Sequence, residues 1–183
     1  MKLPKIKFSL LHSSAKLPTR ENEDDAGIDL YALEDVDIYP GDTVKVRTGV
    51  CMEMPDEWNT ELTVGMAHIE DRSSVGSKGL HHTAGVVDHG YNKGEIVVCI
   101  ANLRLYDVLK SLRIVSEPKS DNDFSLTYDK VIQFDFEPYK VKAGDKICQI
   151  VLQPVYKGVP ILSKIEDHED RARKDRGFGS SGQ

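Results

Sequence analysis

Short apolar, β-branched runs closed by turn residues constrain this chain more than any other feature. Val36 to Tyr39 leads into Pro40-Gly41, Thr43 to Val50 follows, and Ile96 to Ala101, Val131 to Phe136 and Ile147 to Val155 repeat the pattern, the last after Ala143-Gly144. Such runs fit pleated, half-buried strands, and the dipeptides between them supply the backbone angles of tight turns. The fold class is therefore read as all-β, with a sandwich or jelly roll as the architecture that covers both kinds of sheet face. One segment departs from the pattern. In Leu103 to Ile114, Leu105, Tyr106, Leu109 and Leu112 fall at helical spacing, which predicts one short amphipathic helix. Glu117 to Lys130, rich in Pro, Ser, Asp and Asn, then reads as a surface loop.

A chain of 183 residues is long enough for one domain with a real core. Nine of the eleven residues from Glu166 to Arg176 are charged, so this stretch cannot enter a core. The expected organisation is a β domain over 1–165 followed by a mobile arm over 166–183. With a net charge of −6, nonspecific attraction to nucleic-acid phosphates or anionic lipid is disfavoured, and any phosphate must be gripped by a few local cations. Cys51, Cys99 and Cys148 are odd in number and far apart, which suits buried free thiols in a reducing compartment. The longest apolar run, Ile96 to Ala101, is too short to span a bilayer, and the N-terminus has no signal-peptide apolar region. The expectation is a cytoplasmic protein without membrane or direct nucleic-acid partners.

Chemistry concentrates in five clusters. Ala84 to Ile96 reads AGVVDHGYNKGEI, with Asp88 set among Gly85, Gly90 and Gly94 and with Tyr91 three residues on. The Val86-Val87 pair is strand-like, and the glycines let backbone groups approach a small ligand closely. Arg72 to Gly79 reads RSSVGSKG: a guanidinium fork, the hydroxyls of Ser73 and Ser74, and glycines fit a phosphate cradle, while taken alone the stretch also fits an ordinary serine-glycine loop with a basic residue. Asp25 to Ala32, DAGIDLYA, places Asp29 two residues after Gly27. Gly144 to Gln149, GDKICQ, leaves Gln149 as a polar exception in an apolar strand. The C-terminus reads GFGSSG over 177–182, with Phe178 alone in a glycine-serine tail and Arg173 and Arg176 upstream.

In this order the five clusters resemble the five motifs of the trimeric dUTPases, over nearly the whole chain from Ala26 to Gly182. The resemblance implies a jelly-roll homotrimer with active sites between subunits, of phage or bacterial type. It also implies hydrolysis of dUTP to dUMP and pyrophosphate, which keeps uracil out of DNA and supplies dUMP for dTMP synthesis. Carried over by position, Asp88 is the general base that activates water for in-line attack on the α-phosphorus. Tyr91 packs on the deoxyribose, while the backbone around Gly85 and Val87 reads the uracil edge. Arg72, Ser73, Ser74 and Gln149 hold the phosphates, and Asp29 supports the site, through water bound to the metal or through a basic neighbour. Phe178 closes over the uracil, with Gly179 among the substrate-binding residues and Arg173 and Ser180 or Ser181 reaching the phosphates. The implied cofactor is Mg²⁺, held mainly by substrate oxygens and water, which accounts for the lack of a protein ligand cluster in the sequence.

Several positions depart from the family pattern. Asp71 puts a negative charge beside the phosphate grip, and Lys174 follows Arg173 where glycine is usual, so Arg176 competes for that role. Extra chain lies between Pro55 and Arg72, and a larger insertion over about 106–137 is expected to be a helix and loop outside the catalytic core and a candidate protein-binding surface. His81-His82 does not read as a chelating pair, because neighbours in a strand point to opposite faces. Two rival functions are a dCTP deaminase of the same superfamily and a dUTPase that doubles as a regulatory binding module. The deaminases lack the Asp-x-x-Tyr arrangement of the uracil hairpin, so Asp88 with Tyr91 favours hydrolysis at phosphorus.

Overall fold

The computed structural model describes residues 4–90, 93–104, 113–116, 130–133 and 137–162, with the backbone alone for 113–116 and 130–133. Thirteen strands carry the described fold: β1 (Lys7–Leu10), β2 (Ile28–Tyr31), β3 (Val36–Ile38), β4 (Thr43–Arg47), β5 (Val50–Glu53), β6 (Thr63–Asp71), β7 (Leu80–His82), β8 (Val86–Asp88), β9 (Val97–Asn102), β10 (Arg113–Ser116), β11 (Lys130–Gln133), β12 (Tyr139–Val141) and β13 (Lys146–Tyr156). A 3-10 turn at Asp56–Trp58 and a single helical turn, α1 (Ser73–Gly76), complete the described elements. All strand pairings are antiparallel. The sheets join strands distant in sequence, in the orders β2-β13-β6-β8, β4-β9-β7, β1-β5 and β12-β3. That crossing between sheets is jelly-roll behaviour, and it agrees with the all-β reading.

The core lies between the two larger sheets. Leu30, Ala67, Ile69, Cys148 and Ile150 enter it from one sheet, and Val46, Val98, Ile100 and Leu80 from the other. Fully burying one such aliphatic side chain contributes about 1.5–3 kcal/mol, so packing dominates the stability of this frame. Thr43 to Val50, which reads as one strand, is broken at Thr48-Gly49. Thr48 donates from Oγ1 to the Ile96 carbonyl, and Gly49 sits at φ +69° where a Cβ would lie 2.8 Å from Ala15 Cβ and 2.9 Å from Leu33 Cδ1. The chain turns there and continues as β5 in a different sheet.

β6 spans nine residues and organises everything that follows, since it pairs with β13 over its whole length and with β8 through its middle residues, Met66 to His68. The expected helix over Leu103 to Ile114 needs correction at its end: Arg113 and Ile114 are in β10, which pairs with β11 as a two-stranded sheet of its own. A backbone already paired to Gln133 and Ile132 is extended and cannot close helical hydrogen bonds. Residues 105–112 lie outside the described residues, and so do 163–183, including the expected arm. No helix among the described residues is long and apolar enough to cross a membrane.

Candidate active site

Asp29 is the most deeply placed charged group of the site, with 6% of its surface exposed. β2 pairs with β13 and sets Asp29 opposite Gln149. A buried carboxylate needs compensating charge, and here both oxygens are met: Oδ1 by Arg72 Nε at 2.8 Å and Oδ2 by Lys146 Nζ at 2.8 Å. Lys146 also pairs with Glu21, and the hydrogen bonds it donates to Asp29 first and Glu21 second hold its ammonium well above the usual lysine range. Of the two supports expected for Asp29, the geometry favours the basic neighbour. The carboxylate fixes the Arg72 fork through Nε and leaves the terminal nitrogens for a ligand.

Gln149 is placed as firmly. Its Nε2 donates to the Asp71 carbonyl at 3.1 Å, and its Oε1 occupies the space beside Gly27, where a Cβ would come within 2.1 Å. Glycine at 27 is therefore a packing requirement of the glutamine. Glu21, Asp25, Gly27, Asp29, Arg72, Ser73 and Gln149 border a cleft of about 530 Å³. Ser74, one residue further along α1, faces an adjoining cavity of about 430 Å³ shared with Arg72, Lys78 and Lys146. The acidic groups around the first cleft offer oxygen donors only, the donor class that suits Mg²⁺ held with phosphate and water.

The second half of the site is built on β8. Gly85 accepts from the Ile69 amide at 2.7 Å, and the register then sets Val86 opposite His68, Val87 opposite Ala67 and Asp88 opposite Met66. A Cβ at Gly85 would lie 3.2 Å from the Ile69 carbonyl, which the strand could accept only by yielding. Val87 packs against the core and Asp88 stands exposed. Val86, Val87, Asp88, Gly90, Glu95 and Ile96 border a cleft of about 420 Å³ with apolar walls and a carboxylate at its edge. Glu95 there accepts from Arg47 and from the Gly49 amide at 2.8 Å. Burial pushes its carboxyl up, but those partners outweigh it and hold the group below the usual range.

The sequence reading and the geometry part company at Asp71 and the histidine pair. Asp71 does not present a bare charge to the phosphate grip: Oδ1 accepts from the His82 amide at 2.8 Å and faces His82 Nδ1 at 2.9 Å, and Oδ2 faces His81 Nδ1. The two rings converge on one carboxylate, because Nδ1 lies close to the backbone and short rotations bring both round the strand edge. Lys146, Gly27 and Glu21 are the site residues that sequence reasoning passed over. The cation in GDKICQ was the available signal for the first. Tyr91, Arg173, Phe178, Gly179 and Ser180 lie outside the described residues.

Comparison with known proteins identifies the family. The dUTPase family model matches residues 13–109 and 130–182, and the unmatched 110–129 fall inside the expected insertion. The deoxyuridine 5'-triphosphate nucleotidohydrolase of Helicobacter pylori strain J99 is 33% identical over 184 residues, covering 97% of this chain and 97% of its own. The enzyme of the same name from Gloeothece citriformis is 33% identical over 181 residues, with 97% of each covered. Among solved structures, the dUTPase of Staphylococcus bacteriophage 80alpha with dUpNHpp superposes with a TM-score of 0.68 at 28% identity, covering 98% of this chain and 99% of that one. A mutant dUTPase from phage phi11 of S. aureus, which coordinates a structural Mg(II) ion, gives 0.62 at 26% identity over 89% of this chain and 97% of that one. The match runs through both clefts and across nearly the full chain, and the deaminase alternative finds no support in it: this chain belongs to the dUTPase family and hydrolyses dUTP.

Proposed function

We propose that each catalytic site is assembled from at least two subunits of a homotrimer, with Asp88 of one chain acting on a triphosphate held by Arg72, Ser73, Ser74 and Gln149 of another. The observation that carries this is the length of β6. Asp88 is opposite Met66, and Arg72 follows Asp71 at the far end of the same strand. Six residues at 3.3–3.4 Å each separate those positions by about 20 Å. A base and a phosphate grip that far apart cannot serve one phosphorus within one chain. A closed ring of copies offers each grip a neighbour's hairpin.

In this reading the uracil enters the cleft beside Val86 and Val87, where main-chain groups of the hairpin from Gly85 onward read its edge. Tyr91 lies against the deoxyribose. Asp88 takes a proton from water as its oxygen bonds to the α-phosphorus. The bond from that phosphorus to the bridging oxygen breaks, and pyrophosphate leaves with the electron pair. Asp29 keeps Arg72 aimed at the phosphates. The family is Mg²⁺-dependent, and a bound ion would supply charge neutralisation to the triphosphate; with both Asp29 oxygens taken by Arg72 and Lys146, any support Asp29 gave the ion would be indirect, through water. The arm over 166–183 would complete a neighbour's site, with Phe178 over the base and Arg173, Gly179 and Ser180 at the phosphates. Such an enzyme acts where deoxynucleotides are made, which suits the cytoplasm.

The test of substrate assignment is pyrophosphate release from dUTP, dCTP, UTP and dTTP under identical conditions. The expected result is strong preference for dUTP, with UTP poor because Tyr91 leaves no room for a 2′-hydroxyl. Equal efficiency with dUTP and UTP would contradict the sugar contact.

A second role is supported by β10 and β11, which among the described residues pair only with each other and share no sheet with the described catalytic frame. The 80alpha phage enzymes among the structural neighbours are described as controlling transfer of virulence genes. We propose that the 106–137 insertion is a protein-binding surface.

A further inference from the structure

Asp71 ends β6 and has no part in the proposed hydrolysis, yet its carboxylate is the meeting point of two imidazoles from β7. One ligand-capable atom each from Asp71, His81 and His82 lies within 4.8 Å of the other two. The rings are 4.9 Å apart between centroids and tilted by 48°. The His82 side chain is 13% exposed and the His81 side chain 54%, so the cluster has one wall in the protein and one open to solvent. Among the described residues no lysine or arginine pairs with Asp71; the adjacent guanidinium of Arg72 is turned to Asp29. The His82 amide, donating to Oδ1 at 2.8 Å, holds the carboxylate in place. A carboxylate fixed by an outer hydrogen bond and flanked by two imidazole nitrogens is the arrangement of a three-ligand metal centre with its supporting shell.

We propose that Asp71, His81 and His82 bind a borderline divalent transition-metal ion of the Zn²⁺ class, which staples β7 to the end of β6. The donor set decides the ion. Two imidazole nitrogens and one carboxylate oxygen suit Zn²⁺ or Co²⁺, whereas Mg²⁺ prefers oxygen alone and holds its waters tightly. Three protein ligands leave a fourth position to water on the side of exposed His81. Asp71 also borders the phosphate cleft and its carbonyl accepts from Gln149, so the ion would stiffen the strand end from which the grip is built. The site is independent of the shared-subunit reading, because all three ligands come from one chain.

The test is titration of the chelator-stripped full-length protein with Zn²⁺ in excess Mg²⁺, followed by calorimetry and thermal melting. One Zn²⁺ per chain and a rise in Tm that Mg²⁺ does not reproduce are expected. His81→Ala and His82→Ala should each weaken binding by at least ~10-fold, since even outer-shell losses cost that much. Exposed His81 can be lost without disturbing the core, which keeps the experiment open should His82→Ala misfold. With Co²⁺ as the probe, visible d–d bands should appear in the unmodified protein, without a thiolate charge-transfer band, and vanish in His81→Ala. Absence of Zn²⁺ binding, affinity unchanged in His81→Ala, or a thiolate band marking Cys51, Cys99 or Cys148 as the ligand would each overturn the proposal.

Discussion

In the proposed mechanism, Asp88 and Asp29 take different work from their surroundings. Asp29 is buried and its oxygens are spent on Arg72 and Lys146, so it positions; Asp88 is exposed at the edge of an apolar-walled cleft, so it can meet water. Replacing Asp88 by Asn keeps the shape and hydrogen bonding but removes the proton acceptor. Turnover should fall by at least ~10² while dUTP binding, measured by calorimetry with a non-hydrolysable analogue, is largely kept. A folded Asp88→Asn protein with near-normal turnover would remove Asp88 from the mechanism. Cys148 is inert by contrast: burial, with Asp71 nearby, pushes its thiol up to about 12.

At the scale of elements, the legible strands were those whose inward residues are large. Ile147 to Val155 and Ile96 to Ala101 announce themselves, and both are strands to within a residue or two. β6 did not, although it is the spine of the site. Its core-facing positions include Gly65 and Ala67, too small to register as an apolar stripe, and its other face carries His68 and Glu70. The residues proposed for phosphate and base binding stand out in the sequence because such recognition would demand particular residue types; their partners, Lys146 and Gly27, do not, because only the β2–β13 register brings them to Asp29 and Gln149. The insertion looked helical from four spaced apolar residues, whereas its described ends pair as β10 and β11. Replacing 106–137 with a short Gly/Ser link should leave dUTP hydrolysis mostly intact, since that pair shares no sheet with the frame. Loss of assembly by native mass spectrometry would instead make the segment part of the core.

Glu95 belongs to this scale too, since it ties the end of β4 and the Gly49 corner to the start of β9. Its folded carboxyl titrates below the usual 4.5, so its contribution is fully present above that value and is lost as pH falls through the folded pKa. Glu95→Gln should cost about 1–3 kcal/mol at neutral pH. In urea melts the gap between variant and parent should narrow only below the ordinary carboxylate range. A gap constant down to strongly acid pH would mean that charge has no part in the tie.

At the scale of the whole molecule, the proposed sharing of the site rests on β6, along which the position opposite Asp88 and that of Arg72 lie about 20 Å apart. The direct measurement mixes two nearly inactive chains, Asp88→Asn and Arg72→Ala, by co-refolding, with subunit exchange followed by native mass spectrometry. In mixed rings a site can pair the intact Arg72 of one chain with the intact Asp88 of the next, and random mixing places that combination at about one quarter of the sites. Activity should therefore return to roughly a quarter of the unmodified level. If mixed oligomers form and no activity returns, base and phosphate grip act within a single chain and the shared site is wrong.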